Sequence, residues 1–400
     1  MWLEELQLRD FRGFHELTLD LRRQLSVVIG VNGAGKTSLV EAIEIAATQA
    51  AAVTFGRDRA AVEPTDHDIR VGQDDCEILL GFDGTKLWVR RGPGDRWDVG
   101  SDAKFPTPPL VIMFKSDRAV LKRSPPVRVG AFARLTVQSS RPAWDDDFNV
   151  GFTSFEHGED WFRQREDLEN QERVRRRQLD YVDHGLEHAR RAIEAVLPQY
   201  RDPRIDRSRP VGPPQSQLVL NKGEDELTAD MLSDGERSVL VIAMTIARRL
   251  SLLDTETASS PHAATVVIDE VELHLHPKWQ RTILPSLLEA FPSCQFIVTT
   301  HSPQVIGSVP HENLLILEDF ALYPSSMPSQ GRDSNAILEE IMDVPERAEA
   351  SKKELLEIAQ LLDEGDLDAA RPAIDQLADR WGEDDREVIR LRTAMEFREL

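Results

Sequence analysis

The sequence predicts an α/β fold carrying a short helical insertion and a helical C-terminal tail. Three observations lead there. The apolar run Leu25 to Ile29 is followed at once by glycines at 30, 33 and 35, and then by Leu39, Ile43, Ala46, Ala47 and Ala50 at helical spacing. Two further apolar strands, Ala264 to Ile268 and Gln295 to Thr299, alternate with helical runs, the pattern of a parallel sheet. The stretches from about Asp145 to Gln199 and from about Ser334 onward are charged with sparse apolar positions, as solvated helices are.

Composition bounds the rest. The chain has 400 residues and is 40% hydrophobic, enough to bury a core in one large or several ordinary domains, so disorder throughout is excluded. A net charge of -22 argues against a generic nucleic-acid coat or a membrane-surface binder. Two cysteines, Cys76 and Cys294, suit neither a disulfide framework nor a metal cluster and read as buried thiols in a reducing compartment. The opening MWLEELQLRDF has acids where a secretory signal needs basic residues, and no apolar run reaches about 18 residues, so a soluble, cytoplasmic protein with no membrane partner is expected.

In chain order, the first segment alternates like short strands broken by Gly13, and residues 52 to 135 read as a β-rich lobe with loops. The insertion is too short for an extended arm, since about 40 helical residues span only about 60 Å. RDPRIDRSRPVGPP reads as a connector, Ser238 to Leu252 as a helix, and EGDLDAARP as a turn between two tail helices. The expected division is residues 1–144, an N-terminal lobe with the glycine loop; 145–200, the helical insertion; 201–330, a C-terminal lobe; and 331–400, the tail, which holds nine basic and nineteen acidic residues between 338 and 400.

Chemistry concentrates in four motifs. GVNGAGKTS, Gly30 to Ser38, satisfies the P-loop pattern. In that pattern the backbone N–H groups of Asn32, Gly33, Ala34, Gly35, Lys36, Thr37 and Ser38 wrap phosphates, Lys36 reaches the β and γ oxygens, and Thr37 holds Mg²⁺. TVVIDE, Thr265 to Glu270, is a strand ending in two acids, Asp269 for the metal and Glu270 beside an attacking water. LSDGERS, Leu232 to Ser238, opens a helix; it can be an ordinary cap, with Ser233 or Asp234 supplying the oxygen, or a helix N-terminus offered to a neighbour's nucleotide. QFIVTTHSPQVI ends a strand with His301. His274 and His276 alternate with leucines, but no third ligand stands at zinc spacing.

Taken together, FRGF, GVNGAGKTS, LSDGE, DEVELHLHP and TTHSP resemble the SMC, RecF and OLD branch of ABC-type P-loop ATPases. Within it, LSDGERS, HPKWQRTILP, CQFIVTTHSPQVI and the tail segments SNAILEEIM and DREVIRLRTAMEF resemble the compact PtuA-like ATPases of the Septu anti-phage system, which also occur beside retrons. The resemblance implies an ABC-type ATPase head that binds ATP and Mg²⁺. Lys36, Thr37, Asp269, Glu270 and the switch histidine His301 then act within one chain, while Ser233 and Gly235 complete the partner's site. It also implies a homodimer or higher homo-oligomer and a separately encoded, PtuB-like HNH nuclease as partner. The alternative is a RecF- or SMC-like repair ATPase without a nuclease. Gln73 and the PLVIMFKSDR region are the candidates for a Mg²⁺-sensing glutamine, with neither preferred.

Two expectations concern nucleic acid. Residues 85 to 210 are net basic, and Arg173, Arg175, Arg176 and Arg177 are the best cluster for DNA or RNA, although a solvated helix face paired with nearby Glu is the plainer reading. Glu318, Asp366 and Asp368 imitate a nuclease acid set, but the aspartates fall in an inter-helix turn, where such residues cap helices.

Overall fold

The computed structural model describes residues 1–55, 60, 62–92, 96–103, 109–116, 155–208, 217–251, 264–342, 347 and 349–399. The chain divides into two units, Met1–Ser334 and Asn335–Leu400.

The first unit is built on two sheets with a helix between them. One is antiparallel, with order β2-β1-β4-β5-β6: β1 is Leu3–Phe11, β2 Phe14–Asp20, β4 Cys76–Phe82, β5 Thr85–Gly92 and β6 Arg96–Ser101. The other has order β14-β13-β3-β12-β11-β7: β3 is Leu25–Ile29, β7 Val111–Phe114, β11 Ala264–Ile268, β12 Cys294–Thr300, β13 Leu314–Glu318 and β14 Ala321–Pro324. All its pairings are parallel except β13 with β14. The strands β3 and β11 have the bounds read from sequence and β12 is one residue longer at each end; every residue of the three is buried, which is why they read as largely apolar runs.

Helix α1, Lys36–Phe55, packs against β4, β5 and β6 on one side and β7 on the other. It is buried between the sheets, and its sequence is accordingly apolar on nearly every face. Its few buried polar groups find partners: Lys115 Nζ lies 2.8 Å from Glu44, and Gln49 Nε2 donates to the Val62 carbonyl. Gln295, 1% exposed, ties the sheets together. Its Oε1 accepts from Leu3 N and Thr265 Oγ1, and its Nε2 donates to the carbonyls of Leu3 and Arg22.

Two readings of the sequence are corrected. The strand within PLVIMF is not part of the β-rich lobe; β7 is the edge of the parallel sheet, in register with β11. The connector is not structureless at its start: β8, Arg201–Ile205, pairs with β9, Leu218–Lys222, which pairs with β10, Asp225–Thr228. Pro203 and a register shift between Arg201 and Arg204, with Asp202 at φ +55°, disguise β8 as a loop. Residues 209–214 of that connector and residues 145–154 of the expected insertion lie outside the described residues.

The insertion supplies α2, Phe155–Arg176, and α3, His184–Val196. Both pack against α4, Asp234–Ser251, and α3 also packs on α6, Ile283–Ala290, so the pair lies on the head. Buried Glu166 and Glu169 join them: Arg190 reaches both, and Arg207 reaches Glu166. Short helices α5, Pro277–Gln280, and α7, Pro303–Ile306, flank α6 and β12. The second unit holds α9, Glu349–Glu364, α10, Leu367–Trp381, and α11, Arg386–Glu399, closed around Ile358, Leu362, Ile374, Leu377, Val388 and Leu391; α8, Ser334–Glu340, precedes them. Among the described residues, no helix is long and apolar enough to cross a membrane.

Candidate nucleotide site

The parallel sheet brings the motifs together. β12 lies between β3 and β11, with Thr300 opposite Ile29 and Val298 opposite Ile268. The glycine loop, the acidic pair and His301 therefore all leave the same carboxyl edge of the sheet, where ligands of open α/β folds bind.

The loop between β3 and α1 owes its shape to its glycines. Gly33 and Gly35 have φ of +86° and +108°, a region that L side chains rarely adopt. At Gly35 a Cβ would also stand 2.9 Å from Phe14 and Phe320, whose rings meet edge to face with centroids 5.2 Å apart. Gly13 carries Phe320 directly on its backbone. Phe14 of the FRGF segment and Phe320 from the turn between β13 and β14 thus support the loop, a contact that sequence alone does not suggest.

Lys36, 6% exposed, donates from Nζ to the carbonyls of Gly30 at 2.8 Å and Val31 at 3.0 Å. Burial holds its ammonium below the usual lysine range, against the opposing pull of Glu270, Asp269 and Glu272. Across the sheet edge, Thr37 Oγ1 donates to Asp269 Oδ2 at 3.1 Å. These two hard oxygens are near enough for one small divalent cation to take both, and the open loop at the start of a 20-residue helix suits a phosphate, so the residues fit Mg²⁺ and a nucleotide.

The acidic pair is held by Thr299. Its hydroxyl donates to Asp269 Oδ1 at 2.6 Å and accepts the Glu270 N–H at 2.8 Å. Glu270 has φ +48°, an uncommon backbone for a non-glycine residue, and the chain turns there away from β11. His301, 45% exposed at its side chain, begins the turn after β12. Beside it, Glu272 is nearly buried and touches Thr300 and His301.

A family profile described as "AAA domain, putative AbiEii toxin, Type IV TA system" matches residues 25–307, and an "AAA domain" profile matches residues 1–47. The chain belongs to this AAA family. Like it is the "Retron Ec83 probable ATPase" of Escherichia coli, 24% identical over 98% of this chain and 86% of that protein. The "Septu protein PtuA" of Bacillus thuringiensis is 24% identical over 90% of this chain and 89% of its own. An SMC head, solved with the C-winged helix domain of ScpA, is 13% identical with a TM-score of 0.51, covering 82% of this chain and 98% of that one. The fold of this AAA family member is that of an ABC-type ATPase head.

The remaining candidates fall elsewhere. Ser233 opens α4 in a capping box: its N and Oγ donate to Glu236 Oε2, and its Oγ accepts the Glu236 N–H at 3.3 Å. Gly235 packs on the loop after the acidic pair, since a Cβ there would stand 2.6 Å from the His274 carbonyl. Glu236 is fixed further by Tyr200 Oη and Gln199 Nε2. Gln73 sits in an exposed turn, and His276 caps α5. Arg173 pairs with Glu169, and Arg175 and Arg176 both pair with Glu172. A charged cavity of about 260 Å³ beside α1, lined by Arg12, Glu41, Glu44, Asp68 and Lys115 among others, includes none of residues 30–38.

Thr299, Glu272 and the Phe14–Phe320 pair are the site residues that motif reading missed. The signal for the threonine was its position, the residue before the one that precedes His301 on a strand paired with β11.

Proposed function

We propose that the chain binds and hydrolyses ATP with Mg²⁺ as the regulatory ATPase of an anti-phage defence system. In this reading two heads share their nucleotide sites and control a separately encoded HNH-type nuclease. One observation carries the ATPase part: Thr37 meets Asp269 across the edge from which Lys36, Glu270 and His301 also emerge. The defence part rests on the two relatives named for a retron and for Septu, each matching nine-tenths or more of this chain.

The residues divide the work. Lys36 exchanges the Gly30 and Val31 carbonyls for phosphate oxygens, and loop N–H groups take the rest. Thr37 and Asp269 would hold Mg²⁺, which would supply positive charge against the phosphates. Glu270 orients a water and accepts its proton as oxygen bonds to the γ-phosphorus and the bond to the bridging oxygen breaks, releasing ADP and phosphate. His301 contacts the γ-phosphate. Ser233 and the N-terminus of α4 reach the nucleotide of the facing head, where the positive end of the helix dipole favours an anion.

A mixing experiment tests the shared site. Lys36→Ala and Ser233→Arg chains, each inactive alone, recover part of the ATPase activity when combined, because some mixed dimers keep one intact composite site. Confirmed mixed oligomers with no recovery would refute sharing. Glu270→Gln retains ATP and accumulates associated heads, whereas Lys36→Ala loses ATP binding itself. Co-purification with an HNH nuclease encoded alongside tests the defence assignment.

A further inference from the structure

We propose that Glu272 is the positioning residue for His301, fixing its ring tautomer and aim for the ATPase reaction. The inference rests on the nucleotide-site reading above and assigns a role to an acid that lies outside the P-loop and the Asp269–Glu270 pair.

The geometry is specific. Glu272 is 6% exposed, and both of its oxygens are used by the turn that carries His301. Oε2 accepts from Thr300 Oγ1 at 2.7 Å, and Oε1 accepts the His301 backbone N–H at 2.8 Å. The same Oε1 stands 3.0 Å from His301 Nδ1. The contact is electrostatic, a carboxylate oxygen beside the ring nitrogen, and a negative charge placed there favours the tautomer with its proton on Nδ1, leaving Nε2 as the nitrogen for chemistry. Thr300 is itself anchored by accepting the Ser302 N–H at 3.0 Å, so the carboxylate grips the turn at three points.

The backbone explains how an acid two residues after Glu270 comes to face His301. Glu270 turns the chain at φ +48°, and the Leu273 N–H closes that turn on the Glu270 carbonyl at 2.9 Å. Consecutive residues of β12 then point to opposite faces, so Thr299 meets Asp269 while Thr300 meets Glu272. The two hydroxyls lock the acidic pair and the histidine turn to one another. A residue that only stabilised the turn would need Thr300 and the His301 N–H alone; the approach to Nδ1 adds control of the ring.

The test combines a double-mutant cycle with a tautomer measurement. Glu272→Ala is expected to lower kcat by about 10- to 100-fold, the usual cost of losing a residue that orients a working side chain, with ATP affinity within about twofold of the native chain. In a His301→Ala background the same substitution should change kcat by less than about twofold, because its effect passes through the ring. Glu272→Gln keeps an oxygen toward Nδ1 and should retain more activity than Glu272→Ala. Long-range ¹H–¹⁵N spectra, assigned by comparison with His301→Ala, should show Nδ1 protonated and Nε2 bare in the native chain and a shift toward the Nε2–H form in Glu272→Ala. Equal losses of kcat in both backgrounds, or a tautomer that Glu272→Ala leaves unchanged, would overturn the proposal. If Glu272→Ala does not fold, Glu272→Gln carries the cycle, with a loss that vanishes in His301→Ala expected and an additive loss refuting. Absence of Lys36-dependent ATP binding and hydrolysis in the native chain would instead sink the nucleotide reading, while the spectra still report on the Glu272–His301 contact.

Discussion

Thr299 holds Asp269 through a 2.6 Å hydrogen bond to Oδ1, while the other oxygen of that carboxylate receives Thr37 from across the sheet edge. Asp269 is 1% exposed, so its orientation is set by these partners and not by water. The Thr299 hydroxyl also accepts the Glu270 N–H, and one side chain therefore positions both acids.

Thr299→Val keeps the shape and removes the hydroxyl. It should destabilise the chain by about 1–3 kcal/mol, since a buried acceptor and a backbone donor lose their partner. It should also lower kcat at least about tenfold by loosening Asp269 and Glu270. Thr299→Ser should recover most of both. Urea unfolding and steady-state ATPase assays on the two variants check this, and native activity in a stably folded Thr299→Val would contradict it.

Gln295 offers a second test, of the fold itself. Its amide is matched donor to acceptor: Oε1 takes Leu3 N and Thr265 Oγ1, and Nε2 gives to Leu3 O and Arg22 O. Gln295→Leu should cost about 2–4 kcal/mol from the partners left unmet in a dry site. Gln295→Glu, of equal size, should be at least as damaging, because it sets a second oxygen against two carbonyls. A denaturant midpoint unchanged in Gln295→Glu would show that this amide does not join the sheets.

These two residues mark where sequence reading ended. The strands around the glycine loop and the acidic pair are legible, because burial on both faces makes each a largely apolar run and glycines with positive φ leave a fixed spacing. The bonds between Gln295 and Leu3 join positions 292 residues apart, and such pairing leaves no periodic mark. β7 looked like the strands before it because its parallel partner, β11, comes about 150 residues later. Glu272 was passed over beside the more conspicuous Glu270, since only the left-handed turn at Glu270 directs it under His301.

The start of α4 yields a pH prediction. Burial would push the Glu236 carboxyl up, but hydrogen bonds from Tyr200 and Ser233, with Lys222 nearby, hold it below the usual glutamate range. A depressed folded value means that the stabilisation is complete above the unfolded pKa of about 4.3 and is lost as pH falls through the folded value. Glu236→Gln should therefore lose stability relative to the native chain at pH 6, by about 1 kcal/mol for a weakened cap, and the gap should close on acidification below pH of about 4. Tyr200→Phe should show a smaller loss. Urea midpoints measured from pH 6 downward decide the matter; a gap that widens with acid would contradict it.

The final prediction is that the purified chain hydrolyses ATP and leaves nucleic acid intact, because Asp366 and several other aspartates of its second unit are committed to structure. Asp366 caps α10 by accepting the Ala369 N–H at 3.1 Å. Asp363 pairs with Arg398, Asp375 with Arg392, and Asp385 with Arg347, whose guanidinium also lies 4.1 Å over the Trp381 ring. Among the described residues, no group of three or more His, Cys, Asp or Glu side chains is arranged to hold a metal ion. Asp366→Ala should accordingly cost about 1 kcal/mol in the stability of the second unit, as lost helix caps do, while ATP hydrolysis by the head is unchanged. Amide hydrogen exchange in α9, α10 and α11 gives the first quantity, and DNA and RNA incubated with the chain and Mg²⁺ or Mn²⁺ give the nuclease result. Metal-dependent cleavage by the lone chain that disappears in Asp366→Ala would make that aspartate a catalytic acid instead of a cap.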